Sequence, residues 1–599
     1  VTQSTILFAV VPFLSALALC IFGPRLGRAA GWIGFIGLGV AAALFTGVFF
    51  HSSESTLISS IPFIAAPHLA VDLAFRFDFL AMLAVGVLLG IGLLIQLHAA
   101  WTSPEMAKPW RFHAAGLAAI GFTILAIGAG NLIFMIAAWQ GSTLMVAILT
   151  RCRRDGHSAG TAGARIVLTH LIGDAALLLG LFIVARFTGR FDLDSLLAKA
   201  PELATIPWMI PGISLLDFVA VLLFFGLAAK AAQFPLHSWF AETTETAPSG
   251  TALVQTIVLP LPAILLLLRL APLWRLVPAA QGIVLDLAVF TAFVASLVAL
   301  TQTDLVKAVS WLAMSRLGLI ATGLVSGATA GATVLFVNHL FFITILFLAA
   351  GFIIRALGGI AEIRSMGGLW RRTPFAFSAF LIGAIGHLGL PATPGFEAIG
   401  LIAGAVLRFN PAAGVLLVAT VLATPLALTR VMMTVFAGDE RFDRQVLSGI
   451  RETPGMILLS LVMMAIGAFT IGHLTHADGL KILPALSTVL TAAVLSGLLI
   501  GVIRYRRRTP HSNPWKEFIR SGCGWPAVER SLIAIPFGAI AVWSRDVVDR
   551  VAISSVAEGL GHFGRGLGES MLPLRSLRLS TALTILVFAA AVLVWSLVR

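Results

Sequence analysis

The stretch FFGLAAKAAQFPLHSW, Phe224 to Trp239, decides how this chain folds. Its first half is apolar enough to lie in lipid, yet it carries Lys230, and five residues later Pro235 interrupts the helical pattern. A charge at mid-membrane costs several kcal/mol and is ordinarily kept for function. The alternative is a lysine near the end of a span, snorkelling to the interface. Pro235 and the amphipathic PLHSW mark the end of the span beyond Lys230, which favours the functional reading.

The rest of the chain supports a membrane setting. Of 599 residues, 59% are hydrophobic and only 11% charged, where a soluble domain carries about 25% charged residues. Mean hydropathy is +0.99. Apolar runs long enough to cross ~30 Å of hydrocarbon recur along nearly the whole chain, about sixteen in all. The first, Ile6 to Phe22, has no small-residue cleavage site after it and reads as a retained span. The net charge of +13 would suggest nucleic acid in a soluble protein. Here the positive residues fall in loops, where they set orientation. Arg25, Arg28, Lys108, Arg111, Arg151, Arg371, Arg372 and Arg504 follow odd-numbered spans. This places those loops in the cytoplasm and the N-terminus in the periplasm. Three scattered cysteines, Cys20, Cys152 and Cys523, with no CxxC pair, argue against a disulfide, a cluster or a zinc site in this chain.

The expected fold is an all-α polytopic membrane protein. N-terminal transmembrane helices occupy 1–110, two inverted transporter-type repeats 111–270 and 271–437, and additional helices 438–508. A lateral amphipathic region, 509–578, precedes a final anchor, 579–599. The repeats are read from matched breaks, at Pro235 in the seventh span and at LPATPG, with Pro391 and Pro394, in the twelfth. Such breaks free backbone groups that must line a cavity or be buried in protein. From about Trp525 to Gly568 apolar residues mix with charged ones, and within VWSRDVVDRVA the two separate at helical spacing. A helix of ~45 residues there would run roughly 65 Å, lying along the membrane surface.

Other polar residues sit in apolar runs. His170 and Asp174 are four apart and share a helix face. They either relay a proton or neutralise each other at a helix contact. Asp304 and Lys307, three apart, read as a structural ion pair near the cytoplasmic start of the tenth span. His339, His387 and Glu397 suggest a polar track in the second half, with Asn338 and Gln255 able to hold water along it. A search for Walker, GxSxG, HExxH and dinucleotide-binding patterns finds none that would support redox or hydrolytic catalysis by this chain alone.

The segment GLAAKAAQFPLHSWFAETTET, Gly226 to Thr246, resembles the seventh-span signature of the L subunit (chain 5) of proton-pumping NADH:quinone oxidoreductase, respiratory complex I. LTQTDLVKAVSWLAMSRLGLI resembles its tenth-span motif. NHLFFITILFLAAG and MGGLWRRTPFAFSAFLIGA resemble spans eleven and twelve. The likeness runs from about Phe75 to Phe436 and implies a proton path through Lys230.

The sequence departs from the family at several positions. The carboxylate that usually pairs with the lysine is replaced by Gln140, leaving Asp174 as substitute counter-ion. Gln255 stands for a histidine. His339 matches one histidine of span eleven, while Leu335, Ile343 and Ile399 replace a histidine and two lysines. The span-ten lysine falls on Val306, with Lys307 adjacent. His387 and Glu397 have no family counterpart. The resemblance implies a proton-translocating subunit of a multi-subunit assembly in a bacterial inner membrane. NADH, flavin, iron–sulfur clusters and quinone would be confined to partner subunits. Two alternatives stand: a subunit of a proton-gradient-driven inorganic-carbon uptake complex with a zinc carbonic-anhydrase-like partner, and a non-conducting structural paralogue.

Overall fold

The computed structural model describes residues 7–51, 56–66, 69–102, 108–152, 157–442, 484–505 and 514–544, together with 584, 586–592 and 595. The chain opens with helices α1 (Leu7–Leu26) and α2 (Ala30–His51), a hairpin of β1 (Thr56–Ala66) and β2 (Leu69–Asp78), and α3 (Phe79–Thr102). Next come α4 (Pro109–Ile127), α5 (Leu132–Thr150), α6 (His157–Thr188), α7 (Leu193–Leu203) and α8 (Leu215–Lys230). Short pieces α9 (Trp239–Glu242), α10 (Pro248–Leu253), α11 (Pro260–Arg269) and α12 (Ala271–Trp274) lead to α13 (Pro278–Thr301). Then follow α14 (Leu305–Val325), α15 (Thr329–Ala356), α16 (Pro374–Leu388), α17 (Pro394–Phe409) and α18 (Pro411–Val435).

Eleven segments among the described residues are long and apolar enough to cross a membrane. This is a polytopic membrane protein. Helices α4 and α14 are buried along nearly their whole length. Apolar side chains such as Leu14, Ile21 and Phe22 on α1 and Leu495, Leu499 and Ile503 on the helix Pro484–Tyr505 face outward, as a lipid-facing surface requires. The expected span near Val462 and most of the anchor 579–599 lie outside the described residues.

The helix starts follow local chemistry. Proline occupies the first turn of α4, α10, α11, α13, α16, α17 and α18, where its missing N–H costs nothing. Ser214 and Asp217 form a reciprocal capping box on α8. Asn131 and Asp304 cap α5 and α14.

One element departs from the all-helical expectation. β1 and β2 pair antiparallel, with a register shift between Pro62 and Ile64. The cause is legible in LAVDLAFRFD, where Leu69, Val71, Leu73, Phe75 and Phe77 alternate with smaller or charged residues, the period of a strand. The hairpin is tied down at its end. Arg76 pairs with Asp194, and Arg269 grips both carboxylate oxygens of Asp78 at 2.8 and 2.9 Å.

In the lateral region, the described part of the helix expected from Trp525 is helical throughout, and a turn precedes it. Pro514–Arg520 ends in a turn with Gly522, Cys523 and Gly524 all at positive φ. Helix then resumes at Trp525–Glu529 and runs on through a wider turn, Arg530–Ala534, into Ile535–Trp543. Two glycines in this turn make the left-handed backbone accessible. The remainder of that region, from 545 to 578, lies outside the described residues.

Candidate functional site

The site is built where α5, α6 and α8 meet. Helices α6 and α8 approach closely because each offers a glycine. A Cβ on Gly173 would lie 2.3 Å from that of Ala229, and one on Gly226 would lie 2.5 Å from that of Leu177. That contact sets Asp174, one residue after Gly173, against Lys230, one residue after Ala229.

Lys230 is fully buried and Asp174 nearly so. The Lys230 Nζ donates to Asp174 Oδ2 at 3.1 Å, to Thr143 Oγ1 at 3.2 Å and to Gln140 Oε1 at 3.3 Å. It also lies 5.4 Å from the centre of the Trp139 ring, a cation–π contact. An ammonium has three protons, and here three oxygens receive them. Asp174 Oδ1 has no hydrogen-bond partner among the described residues.

His170 does not bond directly to Asp174. Its Nδ1 meets Thr143 Oγ1 at 3.2 Å, and its ring packs edge-on against Trp239 at 4.5 Å. Thr143 Oγ1 is also 3.1 Å from the Trp139 carbonyl. A hydroxyl has one proton and two lone pairs. With its proton on the carbonyl, Thr143 accepts from both Lys230 and His170; with its proton on His170, the link reverses. Thr143 is therefore a bridge whose direction can switch, and nothing in the sequence marked it.

A polar cavity of about 1010 Å³ lies beside this cluster, lined by Arg165, Thr169, Glu242, Asp304, Lys307 and Glu529 among others. Thr169 precedes His170 on α6. Arg165 and Glu242 form an ion pair at 2.6 Å across the cavity wall. Glu529, on Trp525–Glu529, faces Ser238, Thr169 and Arg165, and burial holds its carboxyl above the ordinary range. The same helix is fastened to the stretch after α8: Trp525 Nε1 donates to the Pro235 carbonyl at 3.0 Å, and its ring lies 4.5 Å from that of Phe234.

The structure sorts the other expected residues. Asp304 binds the Lys307 backbone N–H at 2.9 Å. It acts as a helix cap, not as the ion pair expected, because the cap geometry directs the carboxylate at the N–H three residues on. Lys307 stands half-buried on the cavity wall, away from Lys230. Gln255 is buried on a wide turn, Val254–Val258, and donates to the Phe240 carbonyl and to Thr243 Oγ1, both at 2.7 Å. Glu397 is exposed on the first turn of α17. His339 on α15 and His387 on α16 are buried; the His339 ring meets the backbone of Gln255, and neither ring nitrogen of His387 has a partner among the described residues.

Pro235 follows the end of α8, Pro391 lies between α16 and α17, and Pro394 is the first residue of α17. The two stretches share a feature. After α8 an alanine, Ala232, takes φ +52; after α16 another, Ala392, takes φ +67. Such left-handed alanines cost about 1–3 kcal/mol and gather at functional sites.

Sequence reasoning missed Arg316. It lies mid-way along α14 with 4% of its surface exposed. The signal was the same as for Lys230, a charge inside an apolar span.

Residues 129–424 match the NADH:quinone oxidoreductase/Mrp antiporter transmembrane family. Over those residues the chain is similar to that family. It is 28% identical over 449 residues to the NADH-quinone oxidoreductase subunit L of Rhodobacter capsulatus, covering 70% of this chain and 62% of that protein. It is 26% identical over 494 residues to the subunit L of Mycobacterium tuberculosis (strain ATCC 25618 / H37Rv), covering 80% and 76%. Against the NADH-ubiquinone oxidoreductase chain 5 of Metridium senile it is 26% identical over 485 residues, covering 78% of each. In fold it is similar to a chain of the Mrp complex from Dietzia sp. DQ12-45-1b, with a TM-score of 0.68 at 20% identity. That likeness covers 99% of this chain and 63% of the other. All the side chains of the Lys230 cluster fall within the matched region.

Proposed function

We propose that this chain is a proton-translocating membrane subunit of a complex-I-type assembly in a bacterial inner membrane, with Lys230 as its switch. The observation that carries this reading is the buried Lys230–Asp174 pair, bridged through Thr143 to His170 and set beside a polar cavity. In a dry interior a lysine and a carboxylate in contact can exchange one proton, and each exchange creates or removes two charges. Thr143 gives that proton a second route, to His170, by rotation of one hydroxyl. Gln140 accepts from the ammonium but cannot titrate, so Asp174 is the acid of the pair. In this reading the ends of α8 and α16 are the breaks of two inverted repeats. The N-terminus faces the periplasm, and the flavin, iron–sulfur and quinone chemistry resides in partner subunits.

The test is proton uptake by proteoliposomes holding the purified assembly. Lys230→Ala is expected to abolish translocation while the subunits still co-purify. Normal pumping by that variant would refute the reading.

A further inference from the structure

The polar cavity beside the Lys230 cluster has a wall that the proposed proton exchange leaves unused. The cavity lies where α8 and α13 end and α14 begins. Arg165, Ala527 and Arg530 on its wall are exposed, so it opens to the surface. One side is closed by the segment from Arg520 to Arg530. That segment is fastened to both halves of the chain. Gln302 Nε2, just past α13, donates to the Arg520 carbonyl at 3.0 Å. Trp525 Nε1 donates to the Pro235 carbonyl at 3.0 Å, and its ring lies 4.5 Å from that of Phe234. None of these fastenings titrates.

Glu529 does titrate, and its place is specific. It is half-buried, lines the cavity, and its carboxyl meets the hydroxyls of Ser238 and Thr169. Thr169 precedes His170 and Ser238 precedes Trp239, and the His170 and Trp239 rings pack 4.5 Å apart. The carboxyl thus touches the cavity on one side and the His170 corner on the other. The neighbouring charges are already engaged. Arg165, which faces Glu529 from α6, pairs with Glu242 at 2.6 Å, so Glu529 meets a neutral pair and not a lone cation. Asp304 caps the Lys307 N–H at 2.9 Å, and Arg520 pairs with Glu517. The His237 ring stacks on that of Trp525, 6.2 Å away. Lys307, Glu245 and Arg530 complete the charged wall. Burial keeps the Glu529 carboxyl above the ordinary glutamate range, which brings it closer to the ambient pH, as proton delivery requires.

We propose that Glu529 is the proton-loading acid of this subunit, taking a proton from water in the polar cavity and passing it toward His170. The carboxylic acid loses the proton that the imidazole gains, and the carboxylate left behind recovers one from the cavity. From His170 the Thr143 hydroxyl leads on to Asp174 and Lys230. The inference rests on the Lys230 reading for the destination of the proton. It adds the point of entry, and it gives the segment after Arg520 a part in transport as well as in packing.

The experiment is the initial rate of proton uptake by proteoliposomes holding the purified assembly, followed across pH. The parent rate is expected to be highest at low pH and to fall through a step above the ordinary glutamate range, because only the protonated carboxyl delivers. Glu529→Gln cannot titrate and is expected to be slower by about tenfold or more, with that step gone. Glu529→Asp keeps a carboxyl on a shorter stem and should recover part of the rate together with the step. Trp525→Phe loosens the segment but keeps the carboxyl, so the step should persist whatever the rate. A parent-like rate in Glu529→Gln, or a slower rate that keeps the step, would overturn the proposal. So would loss of the step in Trp525→Phe, since docking alone would then produce it. Lys230→Ala separates the two readings. If it pumps normally while Glu529→Gln is slow and lacks the step, the switch reading fails and the entry role stands. If Lys230→Ala is silent and Glu529→Gln matches the parent, the entry role alone fails.

Discussion

Lys230, between α5, α6 and α8, and Arg316, on α14, are both buried cations, and their surroundings are opposite in kind. Lys230 meets a carboxylate, a hydroxyl and an amide oxygen. Arg316 makes no hydrogen bond or ion pair among the described residues, and its Nη1 is enclosed without a partner. The first arrangement is internally neutral and can exchange a proton. The second carries a fixed positive charge and no group to take it. Residues of similar charge in one fold are thus suited to different tasks, and the difference lies in what the neighbouring helices bring.

The largest effect is expected from breaking the first arrangement. Asp174→Ala leaves the Lys230 ammonium buried without its carboxylate, a loss of about 3–5 kcal/mol. Replacing both, Asp174→Leu with Lys230→Met, removes the uncompensated charge and is expected to recover most of that loss. Thermal unfolding of the parent and the two variants in one detergent checks this. If the double variant is no more stable than the single, the pair is not the coupled unit described.

The second cation should respond in the opposite sense. Arg316→Met removes a buried charge that no protein group balances. It is expected to stabilise the chain, by an amount of the order of 1–4 kcal/mol seen when buried charges give way to apolar side chains. Lys230→Met alone should destabilise. A destabilised Arg316→Met would erase the contrast between the two sites.

How much of this was legible in the sequence depended on the kind of signal. Lys230 stood out as a charge in an apolar run, and Asp174 and His170 by their four-residue spacing on one helix. Thr143 could not be read, because threonine is ordinary in apolar helices and its role comes from the positions of α5 and α8. The hairpin was legible in the alternation of Leu69 to Phe77 but was passed over in a chain dominated by helical runs. Glu397 looked like part of a polar track, yet its place on the first turn of α17 turns it outward. Linear proximity to a break does not determine which face a residue takes.

The close approach of α6 and α8 gives a finer test of the first site. Gly173→Ala places a methyl group 2.3 Å from Ala229 Cβ, so the helices must separate. Overpacking of this kind costs about 1–3 kcal/mol, and the Lys230–Asp174 distance should lengthen with it. Loss of transport in Gly173→Ala, with the titratable residues all present, would tie function to the geometry of the pair. Unchanged transport would show that the pair tolerates separation.

The smallest expected effect concerns the cavity wall. Burial raises the Glu529 carboxyl above its unfolded value, with Ser238, Thr169 and Arg165 opposing the rise. A raised carboxylate pKa means that the folded state holds its proton more tightly than the unfolded state. The contribution of Glu529 to docking of Trp525–Glu529 is therefore fully present below the ordinary glutamate range and is lost as pH rises through the raised value. The neutral isostere in Glu529→Gln should abolish that dependence. Fluorescence of Trp525, whose indole donates to the Pro235 carbonyl beside the end of α8, reports the docking against a background variant lacking Trp525. A pH profile that is the same in the parent and in Glu529→Gln would mean that the segment is held by Trp525 and its ring contacts alone, and that the cavity wall does not respond to protons.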